Sequence, residues 1–191
     1  KDQNKESKPL IPISGGLAVI SGVLIGLMYY IFILVFVYND LTQISLVFAT
    51  TITLFLTAMI GFLDDLVINK TQDTSQGLRQ WQKPLLTLIP AIPLMVINAG
   101  NSVMAVPLIG EVNFGLFYPL ILIPIGVSAS ANMVNLLAGI NGLEAGMGII
   151  YTGMLGLYAY VNQRFEAAAI AGVVLMALIA FYYYNKVPAK I

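Results

Sequence analysis

The chain has 191 residues, of which 59% are hydrophobic and 9% charged, and its basic and acidic side chains cancel to a formal net charge of zero. A soluble domain of this length needs more charged surface, so the composition and a mean hydropathy of +0.88 predict an integral membrane protein. Because the chain has no cysteine and no histidine, disulfides, thiolate nucleophiles, histidine metal ligands and a histidine general base are excluded within it.

Six apolar runs along the chain are interpreted as spanning helices, at 13–37, 42–63, 84–99, 117–137, 145–161 and 166–184. The third run is short and contains three prolines, so we expect a kink whose freed carbonyl groups are bonded by neighbouring helices. Residues 103–114 could form a short exterior hairpin that turns near Gly110, or an ordered exterior loop instead. The sequence therefore predicts an all-α polytopic transmembrane helix bundle, with residues 1–191 in a single membrane-embedded domain.

Small residues mark the start of the first apolar run, at Ser14-Gly15-Gly16 and Ser21-Gly22. Small side chains let a neighbouring helix approach closely, so this segment is predicted to be a packing surface. The glycine patterns of phosphate-binding loops are absent from the sequence, which argues against a nucleotide loop of that kind.

The basic residues indicate how the chain is oriented in the membrane. With six spans, eight of them fall on one side and only Arg164 falls on the other. Basic loops stay in the cytoplasm, so the side with eight is predicted to be cytoplasmic. An extra or missing helix would mix the two sides, so the pattern also supports the count of six. The eight cytoplasmic basic residues are Lys1, Lys5, Lys8, Lys70, Arg79, Lys83, Lys186 and Lys190.

Two adjacent carboxylates, Asp64 and Asp65, end the second apolar run on the predicted cytoplasmic side. The carboxyl end of a helix carries partial negative charge, so this pair needs a compensating cation. Lys70, Arg79, Lys83 and a metal ion are the candidates. A solvated helix end paired to nearby lysines is the structural alternative to a functional site.

A dense polar cluster closes the fourth apolar run. Asn132 and Asn135 are three residues apart and share one helix face, and Gly139, Asn141 and Glu144 follow them. Interhelical hydrogen bonds are the structural alternative. Carboxylate and amide oxygens suit Mg²⁺ or Mn²⁺, and a basic rim would attract an anionic substrate. The residues alone thus predict a metal-dependent membrane enzyme that acts on phosphates at the inner face.

The same segment resembles a known family, the polyprenyl-phosphate N-acetylhexosamine-1-phosphate transferases, and most closely the eukaryotic and archaeal dolichyl-phosphate GlcNAc-1-phosphate transferases. The resemblance is carried by Asn132-Met-Val-Asn-Leu-Leu-Ala-Gly-Ile-Asn-Gly-Leu-Glu-Ala-Gly146. Bacterial relatives usually have Asp-Gly where Ala138-Gly139 stands. Weaker matches follow the family's order: Asp2-Gln3-Asn4-Lys5, Pro12-Ile-Ser14-Gly15-Gly16, Gly61-Phe-Leu-Asp64-Asp65, the lysine Lys83, and an approach to the family's Phe-x-Gly-Asp motif at 184–189.

This resemblance implies a transferase of about ten helices with a cytoplasmic active site. It would move GlcNAc-1-phosphate, or another N-acetylhexosamine-1-phosphate, from a UDP-sugar to a dolichyl or other polyprenyl phosphate and release UMP. That reaction is the first membrane step of lipid-linked glycan synthesis, as in N-glycosylation. The implied cofactor is Mg²⁺, with Mn²⁺ as an alternative. The implied partners are the two substrates and the lipid bilayer, with no nucleic acid, and a homodimer is one implied assembly because relatives are often dimers.

The family's motifs also imply roles for individual residues. Asp64 and Asp65 would be the catalytic carboxylates, and Asn135 would be a magnesium ligand. Lys83 would hold the pyrophosphate, and Gly139 with Asn141 would receive the uracil ring. The complete set of implied substrate-binding residues is Gln3, Asn4, Lys5, Lys83, Asn132, Gly139, Asn141 and Glu144.

The match covers this chain but only about the middle of the family's fold. The first helix, the Gly-Asp of the next motif and the later helices would lie outside it, so the chain is expected to be a fragment that is inactive alone. Ile13 replaces a carboxylate of the eukaryotic enzymes, and Asn69 is one residue out of register. The location would be the cell membrane in a prokaryote or the endoplasmic reticulum in a eukaryote.

Two other functions remain as alternatives. A transporter would place polar groups near the bilayer midplane and favour internal repeats, whereas here the polar groups cluster at one face and no repeat is visible. A non-catalytic membrane scaffold would leave that one-sided cluster unexplained.

Overall fold

The structure, a computed structural model, describes residues 15–70, 77–106, 108–137 and 142–186, with the backbone alone at 68–70 and 135–137. Within these ranges it is mainly helical, with two short strands. The elements are α1 (Gly15–Phe32), α2 (Ile44–Lys70), α3 (Gln82–Leu86), α4 (Ile92–Ile97), β1 (Val103–Val106), β2 (Gly110–Asn113), α5 (Ile123–Leu137), α6 (Leu143–Val161) and α7 (Phe165–Asn185).

Apolar helices occupy all six predicted regions, which confirms the prediction of a helical membrane protein. In the described part of the chain, three helical segments are long and apolar enough to cross a bilayer: Gly15–Val37, Ile44–Val67 and Phe165–Asn185. The first of them combines α1 with a π-helical turn, Ile33–Val37. Gln82–Ile97 and Tyr118–Val134 are shorter apolar helices. The count of six spans and their orientation remain predictions.

The chain divides into two compact units, one made of Lys1–Val47 and Leu136–Ile191 and the other of Phe48–Asn135. In the first unit α7 packs along both α6 and α1. Gly148 lies against Leu178 and Gly156 lies against Ala171, so α6 and α7 run antiparallel. Small residues on α6 thus provide the close helix contact that replaces hydrophobic burial when helices pack in lipid.

A second close contact joins α1 to α7. A β-carbon on Gly22 would lie 3.8 Å from the Ala177 β-carbon, and one on Gly26 would lie 2.6 Å from Val173 Cγ1. Two glycines four residues apart on one helix face are a common basis for close packing in membranes. The packing role predicted for the Ser21-Gly22 segment is therefore confirmed at Gly22.

Gly26→Ala is expected to destabilise the protein by about 1–3 kcal/mol, because the new methyl group overpacks the contact with Val173. Gly172→Ala is the matched control, since a β-carbon there would meet nothing within 4 Å. That change should be neutral or stabilising by up to about 1 kcal/mol, the intrinsic helix preference of alanine over glycine. Thermal unfolding in detergent measures both, and equal stability of the two variants would contradict the proposed contact.

The third apolar run is broken, as its prolines predicted. After α3 the chain forms a 3₁₀ turn, Ile89–Ala91, and then α4, and Pro90 and Pro93 lie at the starts of these two pieces. The Thr53 hydroxyl of α2 donates a 2.8 Å hydrogen bond to the Pro90 carbonyl oxygen in a buried position. A neighbouring helix therefore satisfies a backbone acceptor at the break, which is what burial in lipid requires.

The predicted hairpin is present. β1 and β2 pair antiparallel, with Val103 opposite Asn113 and Val106 opposite Gly110. Gly110 has φ of +92°, a value that suits glycine because it has no β-carbon, and it begins β2 instead of lying in the centre of the turn. The side of the membrane on which the hairpin lies remains a prediction.

Candidate functional site

The predicted position of the paired aspartates is wrong in one respect. α2 continues to Lys70, so Asp64 and Asp65 lie more than one turn before its last residue and not at its end. The apolar residues Leu66 and Val67 continue the helix beyond the pair. The helix dipole is felt mainly in the last turn, so it is not the source of the electrostatic cost. Two adjacent, partly buried carboxylates still repel each other and need a cation.

Lys83 supplies that cation. Its Nζ lies 2.8 Å from Asp64 Oδ2, and the side chains are only 24% and 16% exposed. The other oxygen, Asp64 Oδ1, accepts a 2.7 Å hydrogen bond from the Leu78 backbone N–H. Because little water reaches the pair, it is screened less than a surface salt bridge. Asp64 therefore fastens the segment that precedes α3 to the side of α2.

The turn before α3 sets the position of Lys83. The Arg79 backbone N–H donates to Gln82 Oε1 at 2.9 Å, and the Gln82 N–H donates to the Arg79 carbonyl at 2.9 Å. These two bonds close the turn from which the helix starts, and a side chain satisfies a backbone group that the helix itself leaves free. Lys83 is thus held in the first turn of a helix whose start is tied to α2 through Asp64.

A buried network of two hydroxyls and one amide lies one helical turn further along. Thr87 Oγ1 donates to the Lys83 and Pro84 carbonyl oxygens at 2.9 and 3.0 Å, and lies 2.9 Å from Ser128 Oγ. Asn132 Nδ2 donates to Thr87 Oγ1 at 2.9 Å and to the Ser128 carbonyl oxygen at 2.7 Å. Thr87 and Ser128 are 5% and 8% exposed. The network therefore joins α3 to α5 away from water, where each bond would be costly to lose.

Asp64, Lys83, Thr87 and Asn132 all line one cleft, whose volume is about 140 Å³ and whose described lining lies within Phe48–Asn135. Pockets that enclose a drug-sized ligand are about 300–1,000 Å³. This cleft is therefore large enough for a phosphate-sized group but not for a complete sugar nucleotide. Among the described residues, its polar side chains are one ammonium, one carboxylate, one amide and the two hydroxyls of Thr57 and Thr87.

Asp65 is placed differently from Asp64. It is half-buried and is not among the described residues that line the cleft. Within the described ranges it feels the charges of Asp64 and Lys83, but no hydrogen bond or ion pair holds its carboxylate. The two aspartates that looked equivalent in the sequence therefore differ: Asp64 is bonded on both oxygens, whereas no residue in the described part of the chain bonds the Asp65 carboxylate.

The remaining residues of the predicted site are only partly described. Asn135 lies one helical turn beyond Asn132 on α5, and its backbone alone is described. Glu144 is exposed in the first turn of α6, where a carboxylate favours the helix start. The preceding Gly142 has φ of +85°, and its N–H donates to Asn185 Oδ1 at 2.8 Å. The predicted residues outside the described ranges are Gln3, Asn4, Lys5, Gly139 and Asn141.

Four polar groups in or beside the cleft were not predicted: the hydroxyls of Thr57 and Thr87, which line it, the backbone N–H of Leu78, and the Ser128 hydroxyl, which lies against Thr87. The hydroxyls of Thr87 and Ser128 had a signal in the sequence, since Thr87 follows Lys83 by four residues and Ser128 precedes Asn132 by four. That spacing places each hydroxyl on the same helix face as a predicted site residue. The Leu78 N–H had no such signal, because every residue except proline has a backbone N–H and the sequence does not mark which of them bonds a side chain.

Comparison with known proteins gives consistent results. The sequence profile described as glycosyl transferase family 4 matches residues 47–191. A Saccharolobus solfataricus protein, provisionally named UDP-N-acetylglucosamine–dolichyl-phosphate N-acetylglucosaminephosphotransferase, is 34% identical over 100% of this chain and 55% of its own length. A Sulfolobus acidocaldarius protein with the same name is 30% identical over the same shares. A phospho-N-acetylmuramoyl-pentapeptide-transferase of Halalkalibacterium halodurans is 31% identical over 99% of this chain and 57% of its own. The chain spans little more than half the length of these relatives.

Proposed function

Because the chain belongs to glycosyl transferase family 4, we propose that it forms part of a membrane transferase that moves an N-acetylhexosamine-1-phosphate from a UDP-sugar to a polyprenyl phosphate. The names of the two archaeal relatives favour GlcNAc as the sugar and dolichyl phosphate as the acceptor. One observation carries the proposal: a shielded lysine–aspartate pair and an amide line the same small cleft near the end of an apolar helix. A cleft of that size suits a phosphate group.

In the proposed reaction an oxygen of the lipid phosphate attacks the phosphorus that bears the sugar. The bond from that phosphorus to the bridging oxygen breaks, and UMP leaves with the electron pair. A phosphate monoester has its second pKa near 6, so most of the acceptor is already a dianion at neutral pH. The main barrier is therefore the repulsion between two anions that must meet in line, and positioned positive charge lowers it.

The described residues fit these tasks. The Lys83 ammonium, held by Asp64 at 2.8 Å, would stabilise the charge on the pyrophosphate. Asp65, whose carboxylate is held by no described partner, would accept the last proton of any acceptor that is still monoprotonated. Asn132 would contribute an amide oxygen to the same space.

Mg²⁺ is the proposed cofactor, with Mn²⁺ as an alternative. In the described part of the chain, no three His, Cys, Asp or Glu residues form a cluster that could enclose a metal ion. Mg²⁺ does not require one, since it usually binds through one or two carboxylates together with water and substrate phosphates. Carboxylate and amide oxygens are the donors it prefers, so Asn135 would hold it together with water and the substrate phosphates. When bound, the ion would neutralise charge on the diphosphate.

The proposal includes a location. The enzyme is a membrane protein, and we propose that its site faces the cytoplasm, where the sugar nucleotide arrives from water and the lipid phosphate from the bilayer. The basic residues that flank the predicted spans support this orientation. A homodimer and a role in lipid-linked glycan synthesis for N-glycosylation belong to the same proposal.

The test is an assay of the purified full-length protein with UDP-GlcNAc, dolichyl phosphate and Mg²⁺, with UMP release and labelled lipid product as readouts. We expect both products in equal amounts and their loss with EDTA. UDP-glucose is the control donor, and UDP-N-acetylmuramoyl-pentapeptide tests the substrate class named for the bacterial relative. The proposal would be refuted if no UMP were released with either dolichyl or undecaprenyl phosphate in the presence of Mg²⁺ or of Mn²⁺.

A further inference from the structure

Asn132 can present its amide in only one orientation in this cleft. Its Nδ2 lies 2.7 Å from the Ser128 carbonyl oxygen, which can only accept a hydrogen bond. Exchanging the amide nitrogen and oxygen would bring two acceptors together. Nδ2 also donates to Thr87 Oγ1 at 2.9 Å, so both amide hydrogens are used. The Asn132 oxygen is consequently the atom left for a ligand.

The Thr87 hydroxyl must accept from Asn132, because its own hydrogen is committed elsewhere. It faces the Lys83 and Pro84 carbonyl oxygens at 2.9 and 3.0 Å, and both of these can only accept. Ser128 Oγ lies 2.9 Å from Thr87 Oγ1 and 3.0 Å from the Pro84 carbonyl oxygen. It supports the same arrangement from α5. The one hydrogen of the Thr87 hydroxyl is thus directed at a backbone carbonyl, and one of its lone pairs faces the Asn132 amide.

We infer that Thr87 and Ser128 are positioning residues, which hold the Asn132 nitrogen so that the Asn132 oxygen is a fixed acceptor in the cleft that Asp64 and Lys83 also line. The inference rests on the proposed function. The partner of that oxygen is electron-poor: either the divalent cation or a polar hydrogen of the sugar nucleotide. Pre-orientation matters because an amide that must first be ordered binds more weakly.

The chain offers a matched control at Thr53. Thr53 and Thr87 are both buried threonines whose hydroxyls donate to a proline carbonyl of the broken helix, at 2.8 and 3.0 Å. Thr53 is not among the residues that line the cleft. Thr53→Val and Thr87→Val should therefore lower thermal stability to a similar degree, and only Thr87→Val should alter binding.

The experiment measures UDP-GlcNAc binding to the full-length protein by calorimetry, together with thermal unfolding. Thr87→Val should raise the dissociation constant about 10-fold, as expected when one oriented hydrogen bond is lost. Thr87→Ser keeps the hydroxyl and should stay within about 2-fold of wild type. Ser128→Ala leaves the backbone acceptor in place and should have an intermediate effect, so it serves as the test variant if Thr87→Val fails to fold.

Two titrations identify the partner of the Asn132 oxygen. If Thr87→Val raises the dissociation constant for Mg²⁺ measured at saturating UDP-GlcNAc, the partner is the cation. If it raises the dissociation constant for UDP-GlcNAc measured at saturating Mg²⁺, the partner is the nucleotide sugar. Wild-type affinity in both Thr87→Val and Ser128→Ala overturns the inference. So does an equal loss of affinity in Thr53→Val, or a Thr87→Ser variant as weak as Thr87→Val. A wild-type protein that binds no UDP-GlcNAc overturns the proposed function and the inference with it.

Discussion

Replacing Lys83 with methionine should slow UMP release by about 10²–10³-fold, the usual cost of removing one group that stabilises transition-state charge. Methionine keeps much of the aliphatic stem and removes the ammonium that lies 2.8 Å from Asp64. The substitution also leaves the Asp64 carboxylate mostly buried, with only the Leu78 N–H as a described hydrogen-bond donor. Because some water reaches the pair, we expect a stability loss of about 1–3 kcal/mol, less than for a fully buried ion pair.

Two further variants separate the lysine's chemical role from its structural one. Arg79→Met removes an exposed positive charge from the same turn and should leave the rate within about 2-fold, since exposed charges contribute little. In the double variant Lys83→Met with Asp64→Asn, residue 64 no longer carries a charge that needs Lys83, so much of the stability should return while the rate stays low. If stability and rate recovered together, Lys83 would act only as a structural partner of Asp64, and its proposed contact with the pyrophosphate would be wrong.

Much of the fold was predictable from local sequence because membrane helices leave a strong local signal. Long apolar runs located the helices, and the prolines of the third run located its break. Gly110 marked the hairpin near its turn. The end of α2 was not predictable from the same signal. Polar Asp64 and Asp65 looked like the membrane boundary, but Leu66 and Val67 continue the helix, and helix propensity does not depend on where the bilayer ends.

The site was predictable in its residue types and less so in its contacts. Charge balance reduced the partner of the aspartates to a few candidates, but the choice of Lys83 over Arg79 depends on how the turn at Leu78 and α3 packs against Asp64. The roles of Thr87 and Ser128 were not predicted, because a hydroxyl in an apolar run usually bonds a carbonyl of its own helix. Here the Thr87 hydroxyl does bond local carbonyls, but the Ser128 hydroxyl donates to the Pro84 carbonyl of α3, and the two hydroxyls lie 2.9 Å apart. Long-range pairing of this kind is a property of packing, and a single sequence carries little record of it.

The two adjacent aspartates should respond differently to substitution, because only Asp64 is bonded to Lys83. Asp65→Asn should lower the rate of UMP release by about 10²-fold below about pH 6, where the acceptor phosphate is monoprotonated and must lose its proton, and much less at neutral pH, where it is already a dianion. It should leave the unfolding temperature unchanged or raise it, because it removes a negative charge beside Asp64 and breaks no hydrogen bond or ion pair in the described chain. Asp64→Asn should lower both quantities, since it removes the charge that pairs with Lys83 and fastens the turn before α3. We expect it to cost about 1–3 kcal/mol of stability.

Glu111→Gln, at an exposed carboxylate in β2, controls for the loss of one negative charge and should change neither the rate nor the unfolding temperature. Steady-state rates and thermal unfolding of the three full-length variants measure this. Equal stability of the two aspartate variants would show that the pair acts as one electrostatic unit, and a wild-type rate in Asp65→Asn below about pH 6 would refute the proposed role of Asp65 as proton acceptor.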